Sequence, residues 1–292
     1  MTTLLNQNEK VIGIDRDKSG EFRLPKHDDF EMVWDDLIYI NNYDFDVDTI
    51  YHLASAADTQ KSLTNTYMDL RDGVEITHKV LEYMRINDIK KLIYSSSSAV
   101  YGEMVELPTP ENTRFIKPIS LYGAQKAACE MFIHAYCDLY GIKSWIFRFA
   151  NVTGHGVHRG VIYDFYHKLR KDSKELLILG DGKQRKSYFD VQDCVDGLVD
   201  IPKFKNADDK RQVKVYNLGN TETMDVVELT DIVCKEFDVK PKYKFTGEDR
   251  GWQGEAPITI LDIKEALATG WKPKFTQEEA IKNAVRYVRE TF

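Results

Sequence analysis

The chain has 292 residues, of which 42% are hydrophobic and 30% charged, so it can form one large domain or two closely joined ones. A formal net charge of −7 and a pI near 5.6 argue against a broad nucleic-acid surface. No apolar run reaches the roughly eighteen residues of a membrane span, and residues 1–10 lack signal-peptide features. Four cysteines without a CxxC pair or metal-ligand spacing predict reduced thiols, so we expect a cytoplasmic protein without a metal site and without nucleic-acid or membrane partners.

The first predicted strand, Val11–Asp15, is a short apolar run closed by a carboxylate. In a dinucleotide-binding unit such a strand end holds the adenosine ribose, about twenty residues after a glycine-rich turn that holds the pyrophosphate. Only ten residues precede Val11, and they contain no glycine. Three explanations stay open: the protein begins about twenty residues upstream of Met1, the chain folds with a gap in its sheet, or another segment fills the vacant strand position.

Strand and helix signals alternate through the first half of the chain, and the strands are continuous apolar runs. This pattern predicts an α/β fold with a parallel sheet covered on both faces. The predicted strands are 11–15, 30–34, 49–54, 91–96, 141–149 and, later, 213–219. Helices are predicted at 68–86 and 121–140, and the first should bury Val74, Thr77, Val80, Leu81 and Met84.

After Gly154 the pattern loosens into loops and short elements, which predicts a smaller C-terminal lobe. Two capping boxes predict late helices in this part of the chain. One pairs Asp262 with Glu265, and the other pairs Thr276 with Glu279.

Tyr122 and Lys126 stand four residues apart at the start of the second predicted helix, so both should point from one face. A phenol is a poor base at neutral pH because its ordinary pKa is about 10. A nearby lysine ammonium would lower that pKa, and it could also bind the hydroxyls of a nicotinamide ribose. The pair alone is a weak signal, since a solvated helix start can contain the same two residues.

The segment "KLIYSSSSAVYGE" places four serines at the carboxyl end of a predicted parallel strand. Ligands bind at this edge of open α/β sheets. A serine hydroxyl there can donate to a substrate oxygen while the tyrosine removes its proton, although serines also suit a polar strand-to-loop transition. A serine-rich strand end followed by Tyr-x-x-x-Lys is much more specific than either part alone.

From Leu4 to the C-terminus the sequence resembles the extended short-chain dehydrogenase/reductase family, particularly its NAD-dependent nucleotide-sugar epimerases. The resemblance implies a Rossmann-like doubly wound sheet without its first strand and GxxGxxG loop. Residues 1–152 would bind NAD, 153–292 would form the sugar-nucleotide lobe, and later segments such as 184–219 would return to the first domain. The motifs are "VIGID", "DTIYHLAS", "SSSSAVYGE", "LYGAQK", "RFANVTG", "GDGKQRKSYFDVQDC", "VYNLGN" and "DRGWQGEAP", and "GVIYDF…ILGDGKQRKSY" is most similar to archaeal-type UDP-glucose 4-epimerases.

The resemblance implies a role for each candidate site residue. Tyr122 would be the catalytic base, Lys126 its partner and Ser97 the catalytic hydroxyl. The residues expected to bind NAD are Asp15, Asp36, Leu37, Leu53, Ala54 and Ser55, together with Tyr122 and Lys126. The residues expected to bind the nucleotide sugar are Ser97, Asn151, Arg185 and Arg250, of which the two arginines would hold the diphosphate.

The implied reaction is C4 epimerisation of UDP-glucose and UDP-galactose through a 4-keto intermediate. The carboxylate of Asp15 would repel a ribose 2′-phosphate, which favours NAD over NADP. A homodimer through helices 68–86 and 121–140 is also expected from the resemblance.

Two other functions stay open. Dehydratases and decarboxylases of nucleotide sugars are similar, but they carry an acidic residue just after the catalytic Ser/Thr region, where this chain has Ser98 and Ala99. The missing phosphate loop would suit a non-catalytic sugar-nucleotide-binding or interaction protein. Two further departures are Gly73, where related chains usually have asparagine, and Glu255, which replaces the usual aspartate of "GDxP".

Overall fold

The structure is a computed structural model that describes residues 1–18, 24–104, 106–114, 116–204 and 211–292. Its strands are β1 (Val11–Asp15), β2 (Phe30–Trp34), β3 (Thr49–His52), β4 (Lys91–Ser97), β5 (Lys143–Phe149), β6 (Asn151–Thr153), β7 (Glu175–Ile178), β8 (Arg185–Lys186), β9 (Tyr188–Asp190), β10 (Val213–Leu218), β11 (Met224–Asp225), β12 (Lys242–Phe245) and β13 (Ile258–Thr259). The α-helices are α1 (Thr2–Leu5), α2 (Thr59–Ser62), α3 (Tyr67–Asp69), α4 (Ile76–Ile86), α5 (Leu121–Tyr140), α6 (Val161–Lys171), α7 (Val191–Asp200), α8 (Val226–Glu236), α9 (Lys264–Leu267) and α10 (Gln277–Thr291). Shorter turns are 3₁₀-helical at Leu37–Asn42, Ser98–Val100 and Ile201–Lys203, and π-helical at Leu70–Glu75.

A parallel four-stranded sheet in the order β10-β5-β4-β3 forms the centre of the fold. The strands β1 and β2 form a separate parallel pair, and no described segment is hydrogen-bonded as a strand between β1 and β3. Strand β10 comes from the second half of the chain and pairs with β5. It belongs to the segment 184–219 that was expected to return to the first domain, of which residues 205–210 lie outside the described residues.

Helical layers cover both faces of the central sheet, as the continuous apolar strands predicted. Leu92 and Ile146 belong to a core formed with α4 and α5. The neighbouring residues Ile93 and Phe147 point to the opposite face, where they join a core that includes Trp271. Successive strand residues alternate between the two cores because side chains of a strand point to opposite faces.

The predicted helix 68–86 is interrupted. Residues 67–86 are helical, but the π-helical turn Leu70–Glu75 separates α3 from α4. Thr77 donates a hydrogen bond from Oγ1 to the carbonyl of Gly73 at 2.8 Å. A period of 3.6 residues cannot indicate such a turn, and π-turns are often found at functional sites. Of the side chains expected to face inward, Val74 is partly buried, and those of Thr77, Val80, Leu81 and Met84 are fully buried.

A third hydrophobic core, in the second half of the chain, is formed by α6, β7, α8 and α10 around residues such as Phe165, Leu176 and Ile281. The capping box of Thr276 and Glu279 is present at the start of α10. The box predicted for Asp262 and Glu265 is wrong, because the Asp262 carboxylate accepts from the N–H of Lys264, only two residues ahead.

Candidate active site

The helix α5 places its first turn directly on the segment that follows β4. Ser120 caps the helix by accepting a hydrogen bond from the N–H of Gly123 at 3.1 Å. A Cβ on Gly123 would lie 2.4 Å from the carbonyl oxygen of Ala99, so only glycine allows this close approach. The carboxyl end of β4, with Ser97, therefore meets the part of α5 that carries Tyr122.

Two groups favour the ionised form of Tyr122. Burial is the larger effect and raises the pKa of this phenol above its ordinary value, and the Ser97 hydroxyl and the guanidinium of Arg159 offset part of that rise. Arg159 lies in the loop before α6 and donates from Nη1 to the carbonyl of Ala57 at 3.0 Å. Arg159 is not among the site residues predicted from the sequence.

Lys126 is only 3% exposed, and its Nζ donates to the carbonyl of Ser95 at 2.6 Å. The same Nζ lies 5.0 Å from the ring centroid of Tyr94 and 6.0 Å from that of Tyr122. Burial lowers the Lys126 pKa to about 8. The influences that oppose the burial of Tyr122 are the Ser97 hydroxyl and the Arg159 guanidinium.

A chain of hydrogen bonds connects the ends of β3 and β4 to the π-helical turn. Ser95 donates from Oγ to the carbonyl of His52, and Nε2 of His52 lies 2.9 Å from Oγ1 of Thr77. Because Thr77 already donates its single hydroxyl proton to Gly73, it must accept from the N–H of His52. Burial, followed by the nearby charge of Lys126, lowers the His52 pKa to about 3, so this imidazole is neutral.

A buried ion pair anchors α5 one turn beyond Lys126. Glu130 is fully buried and accepts from Nη2 of Arg148 at 2.6 Å and from Nε at 3.0 Å. It also accepts a hydrogen bond from Ser96, and Arg148 donates to the Tyr101 hydroxyl at 2.9 Å. Burial alone would lower the pKa of Arg148, but Glu130 raises it. The pair therefore ties the helix of Tyr122 to both β4 and β5.

The expected NAD-binding residues lie at the carboxyl ends of β1 and β3 and in the turns that follow. Asp15 ends β1 and is exposed, and its Oδ1 accepts from the N–H of Asp17 at 2.9 Å. Leu53, which is 55% exposed, and the exposed Ala54 follow the last residue of β3, so this strand ends before the predicted residue 54. Ser55 is partly buried in the same turn. Strand β1 is parallel to β2, and β3 is parallel to β4, so within each sheet these residues lie at the carboxyl edge, where α/β sheets bind ligands.

Asp36, which follows β2, belongs to a cluster of two acids and two arginines that also contains Asp72, Arg16 and Arg71. Its Oδ2 lies 2.7 Å from Nη2 of Arg71 and 3.5 Å from Nη1 of Arg16. Arg16 also binds both carboxylate oxygens of Asp72 at 2.8 Å. Burial raises the Asp36 pKa, but Arg71 and the other partners outweigh it and the pKa is lowered. Leu37, the next residue, packs on the core of α4 and α5.

The expected substrate-binding residues come from the second half of the chain. Asn151 begins β6 and is paired in register with Tyr188. Arg185 donates from Nη1 to the carbonyl of Thr223 at 3.0 Å. Arg250 lies 3.1 Å from Glu103, a residue of the segment that follows β4, so it reaches across to the Ser97 side of the fold.

The structure describes no group of three or more metal-ligating side chains in residues 1–18, 24–104, 106–114, 116–204 and 211–292. In the loop with two histidines, His155 packs on Tyr287 and His158 lies 3.1 Å from the carbonyl of Gly156. None of the described helices is both long and apolar enough to cross a membrane.

Residues 1–219 match the model of the NAD dependent epimerase/dehydratase family. The chain belongs to this family. It is 34% identical over 252 residues to a putative UDP-glucose 4-epimerase of Methanocaldococcus jannaschii, covering 84% of this chain and 78% of the relative. It is 28% identical over 251 residues to UDP-glucuronate 4-epimerase 4 of Arabidopsis thaliana, covering 82% of this chain but 57% of that protein.

The crystal structure of UDP-glucose 4-epimerase from Thermotoga maritima with UDP-glucose is similar along nearly the whole chain. The TM-score is 0.86 at 26% sequence identity, and the match covers 99% of this chain and 94% of the other. The Rossmann-like fold and the family predicted from the motifs are therefore confirmed.

Within this epimerase/dehydratase chain, sequence reasoning found the Tyr122–Lys126 pair but missed Arg159 and Gln125. Arg159 is exposed and lies far along the chain from the tyrosine whose pKa it lowers. Gln125 lies inside the Tyr-x-x-x-Lys motif at a position that the motif leaves unspecified. In the sequence, these two residues could be suspected only from the residues beside them. Arg159 follows His158, and Gln125 precedes Lys126.

Proposed function

We propose that the chain is an NAD-dependent 4-epimerase of a UDP-sugar, with UDP-glucose and UDP-galactose as the interconverted pair. The observation that carries this proposal is the meeting of Ser97, Tyr122 and a buried Lys126 at the carboxyl edge of the parallel sheet. The similarity to a putative UDP-glucose 4-epimerase supports the choice of sugar.

Tyr122 acts as the base that takes the proton from the sugar 4-hydroxyl and later returns it. Ser97 donates a hydrogen bond to the same sugar oxygen, which favours the 4-keto form. Arg159 and Ser97 favour the tyrosinate, since both oppose the rise in the Tyr122 pKa that burial causes. Lys126 contributes a positive charge below pH 8, the value to which burial lowers its pKa.

The residues at this edge suit NAD. The exposed carboxylate of Asp15 can accept from both ribose hydroxyls, and its charge disfavours a 2′-phosphate. Asp36 and Leu37 follow β2, whose Trp34 is paired with Asp15, and the Leu53–Ser55 turn follows β3. Lys126 binds the carbonyl of Ser95 near the end of β4. NAD, when bound, supplies the group that accepts a hydride from the sugar carbon and gives it back.

Asn151, Arg185 and Arg250 would hold the nucleotide and diphosphate. Arg185 lies 3.4 Å from Glu228, and Arg250 lies 3.1 Å from Glu103. Both guanidinium groups are partly exposed, so a diphosphate could replace the carboxylates as their partner. The absence of a carboxylate at Ser98 and Ala99 favours plain epimerisation over dehydration or decarboxylation.

We also propose a cytoplasmic homodimer. Large apolar side chains on the outer surface of α5 include Met131, Phe132 and Leu139, which are 54%, 42% and 71% exposed. Covering such a surface with a second copy would remove it from water. The four cysteines are buried and unpaired, which suits a reducing compartment.

The proposal is tested by measuring interconversion of UDP-glucose and UDP-galactose with added NAD, and by assaying NAD released from the denatured protein. Tyr122→Phe should lower turnover by at least about a hundredfold, because it removes the acid–base group, while UDP-sugar binding stays nearly unchanged. Tyr140→Phe, which removes the same hydroxyl from the exposed end of α5, should keep full activity.

Two results would reject this function. Wild-type turnover by Tyr122→Phe would exclude the tyrosine as base. Binding of UDP-glucose without NAD uptake or turnover would identify a non-catalytic binder. Conversion of UDP-glucuronate in place of UDP-glucose would keep the reaction type and change the sugar.

A further inference from the structure

Gln125 joins the catalytic helix to the turn after β3. Its side chain is almost fully buried at 3% exposure, and Nε2 donates to the carbonyl oxygen of Ala56 at 2.6 Å. Its Oε1 lies 3.5 Å from the hydroxyl of Ser55. One amide therefore contacts two successive residues of a turn that the proposed function places against NAD.

Gly73 leaves the space that this amide occupies. A Cβ built on Gly73 would lie 1.6 Å from Oε1 of Gln125 and 2.6 Å from Cδ. Gly73 is not among the glycines with positive φ, so its backbone does not require glycine. Glycine is needed at position 73 because the Gln125 amide occupies the space of a Cβ, and any larger residue would displace that amide from Ala56.

The turn is held on other sides as well. Arg159 donates to the carbonyl of Ala57, the residue after the one that Gln125 holds. Gly73 itself is connected to the end of β3, because Thr77 donates to its carbonyl and accepts from His52. The π-helical turn, the start of α5 and the segment after β3 therefore meet at this glutamine.

We propose that Gln125 is a positioning residue that fixes the Ser55–Ala57 turn for NAD, and that Gly73 is its space-making partner. The function of the turn rests on the proposed NAD-dependent reaction. Gln125 acts through Ala56 and does not touch the reacting atoms. Its position next to Lys126 means that one turn of helix sets both the buried lysine and the cofactor turn.

The test uses Gln125→Ala, Gly73→Ala and the double variant in the full chain. Gln125→Ala removes the amide, and Gly73→Ala displaces it without changing residue 125. Amide hydrogen exchange of residues 54–58 is measured without added cofactor, and the NAD dissociation constant is measured by calorimetry. Each single variant should speed exchange in the turn and weaken NAD binding by about three- to tenfold, the range expected for one hydrogen bond.

The double variant is the decisive control. Once Gln125 is alanine, a Cβ at position 73 meets no amide and only the Cβ of residue 125 at 3.2 Å, so Gly73→Ala should have a much smaller effect in that background. A merely structural contact would lower the melting temperature and leave the exchange of residues 54–58 unchanged, which would overturn the proposal. Equal effects of Gly73→Ala in both backgrounds would overturn the role of Gly73.

Failure of the proposed function is distinguishable from failure of this inference. A wild-type chain that binds no NAD would reject the function. The exchange measurement needs no cofactor, so it would still decide whether Gln125 holds the turn.

Discussion

The four-stranded sheet and the β1–β2 sheet place the same kind of ion pair in opposite environments. In the four-stranded sheet, the five inner residues of β5 are buried, whereas β1 of the β1–β2 sheet contains no fully buried residue. Each region holds an arginine–carboxylate pair. The side chains of Arg148 and Glu130 are 5% and 0% exposed, and those of Arg16 and Asp72 are 53% and 16% exposed.

This difference separates the parts of the proposed reaction. Tyr122, Lys126 and Ser97 lie on elements whose polar groups are buried and hydrogen-bonded, so their positions are set by the fold before any ligand binds. The expected adenosine contacts at Asp15 and Asp36 lie beside ion pairs that water reaches. We therefore expect the part of the site around Tyr122 to be rigid. The ion pairs beside Asp15 and Asp36 should weaken as the salt concentration rises.

Breaking the buried pair should have the largest effect. Arg148→Met leaves Glu130 as a buried carboxylate without its ionic partner, which should cost about 3–5 kcal/mol in the free energy of unfolding. Urea denaturation at neutral pH measures the loss.

The matched control is Arg16→Met, which removes the same side chain from the exposed cluster. It should cost less than about 1 kcal/mol, and salt should reduce the difference from wild type. Similar losses for Arg148→Met and Arg16→Met would contradict the contrast between the two sheets.

The buried His52 should make the four-stranded sheet sensitive to acid. Its folded pKa of about 3 lies below the ordinary value of 6.5, so between these values the unfolded chain binds a proton that the folded chain does not. Its contribution is fully present above pH 6.5 and is lost as the pH falls toward 3. Lowering the pH from 7 to 5 should cost about 2 kcal/mol through this residue.

His52→Gln removes the titrating group, so the free energy of unfolding should fall by about 2 kcal/mol less than in the wild type between pH 7 and pH 5. Urea denaturation at a series of pH values measures this difference. The same measurement on His158→Gln, at an exposed position in the loop before α6, is the control for the substitution itself. A curve of unaltered slope in His52→Gln would show that another group causes the loss.

Arg159 should give the smallest effect, because it is an exposed residue that acts on the buried region. Arg159→Met removes a charge that lowers the Tyr122 pKa, so the pKa should rise and the rate–pH profile should move to higher pH. At neutral pH we expect a rate loss of about two- to fivefold, as for one partly exposed charge. Arg159→Lys keeps the charge and should retain most of the rate, and a profile of unchanged midpoint in Arg159→Met would exclude the effect.

Local sequence was sufficient for much of the fold. The helix α5 was predicted with its observed bounds, and Ser120 and Gly141 provide its two ends. The strand β2 was also predicted with its observed bounds, because apolar runs of this length and turn-forming neighbours are local signals. The capping box of Thr276 succeeded where that of Asp262 failed, since the same spacing also permits a shorter turn around Lys264.

The composition, the order of strands and helices, and the spacing of Tyr122 and Lys126 could be read from the chain, because each depends on residue type and short spacing. Ser97 was chosen among the four serines only through the resemblance to the family. The π-helical turn, the charge of Arg159 beside Tyr122 and the fit of Gln125 into the space at Gly73 could not be read from the chain. Each of these depends on segments that are distant in sequence and meet only when the layers pack. The sequence therefore indicates which side chains could carry out the chemistry. The tertiary packing determines which residues shift the Tyr122 pKa and which residue binds the Ser55–Ala57 turn.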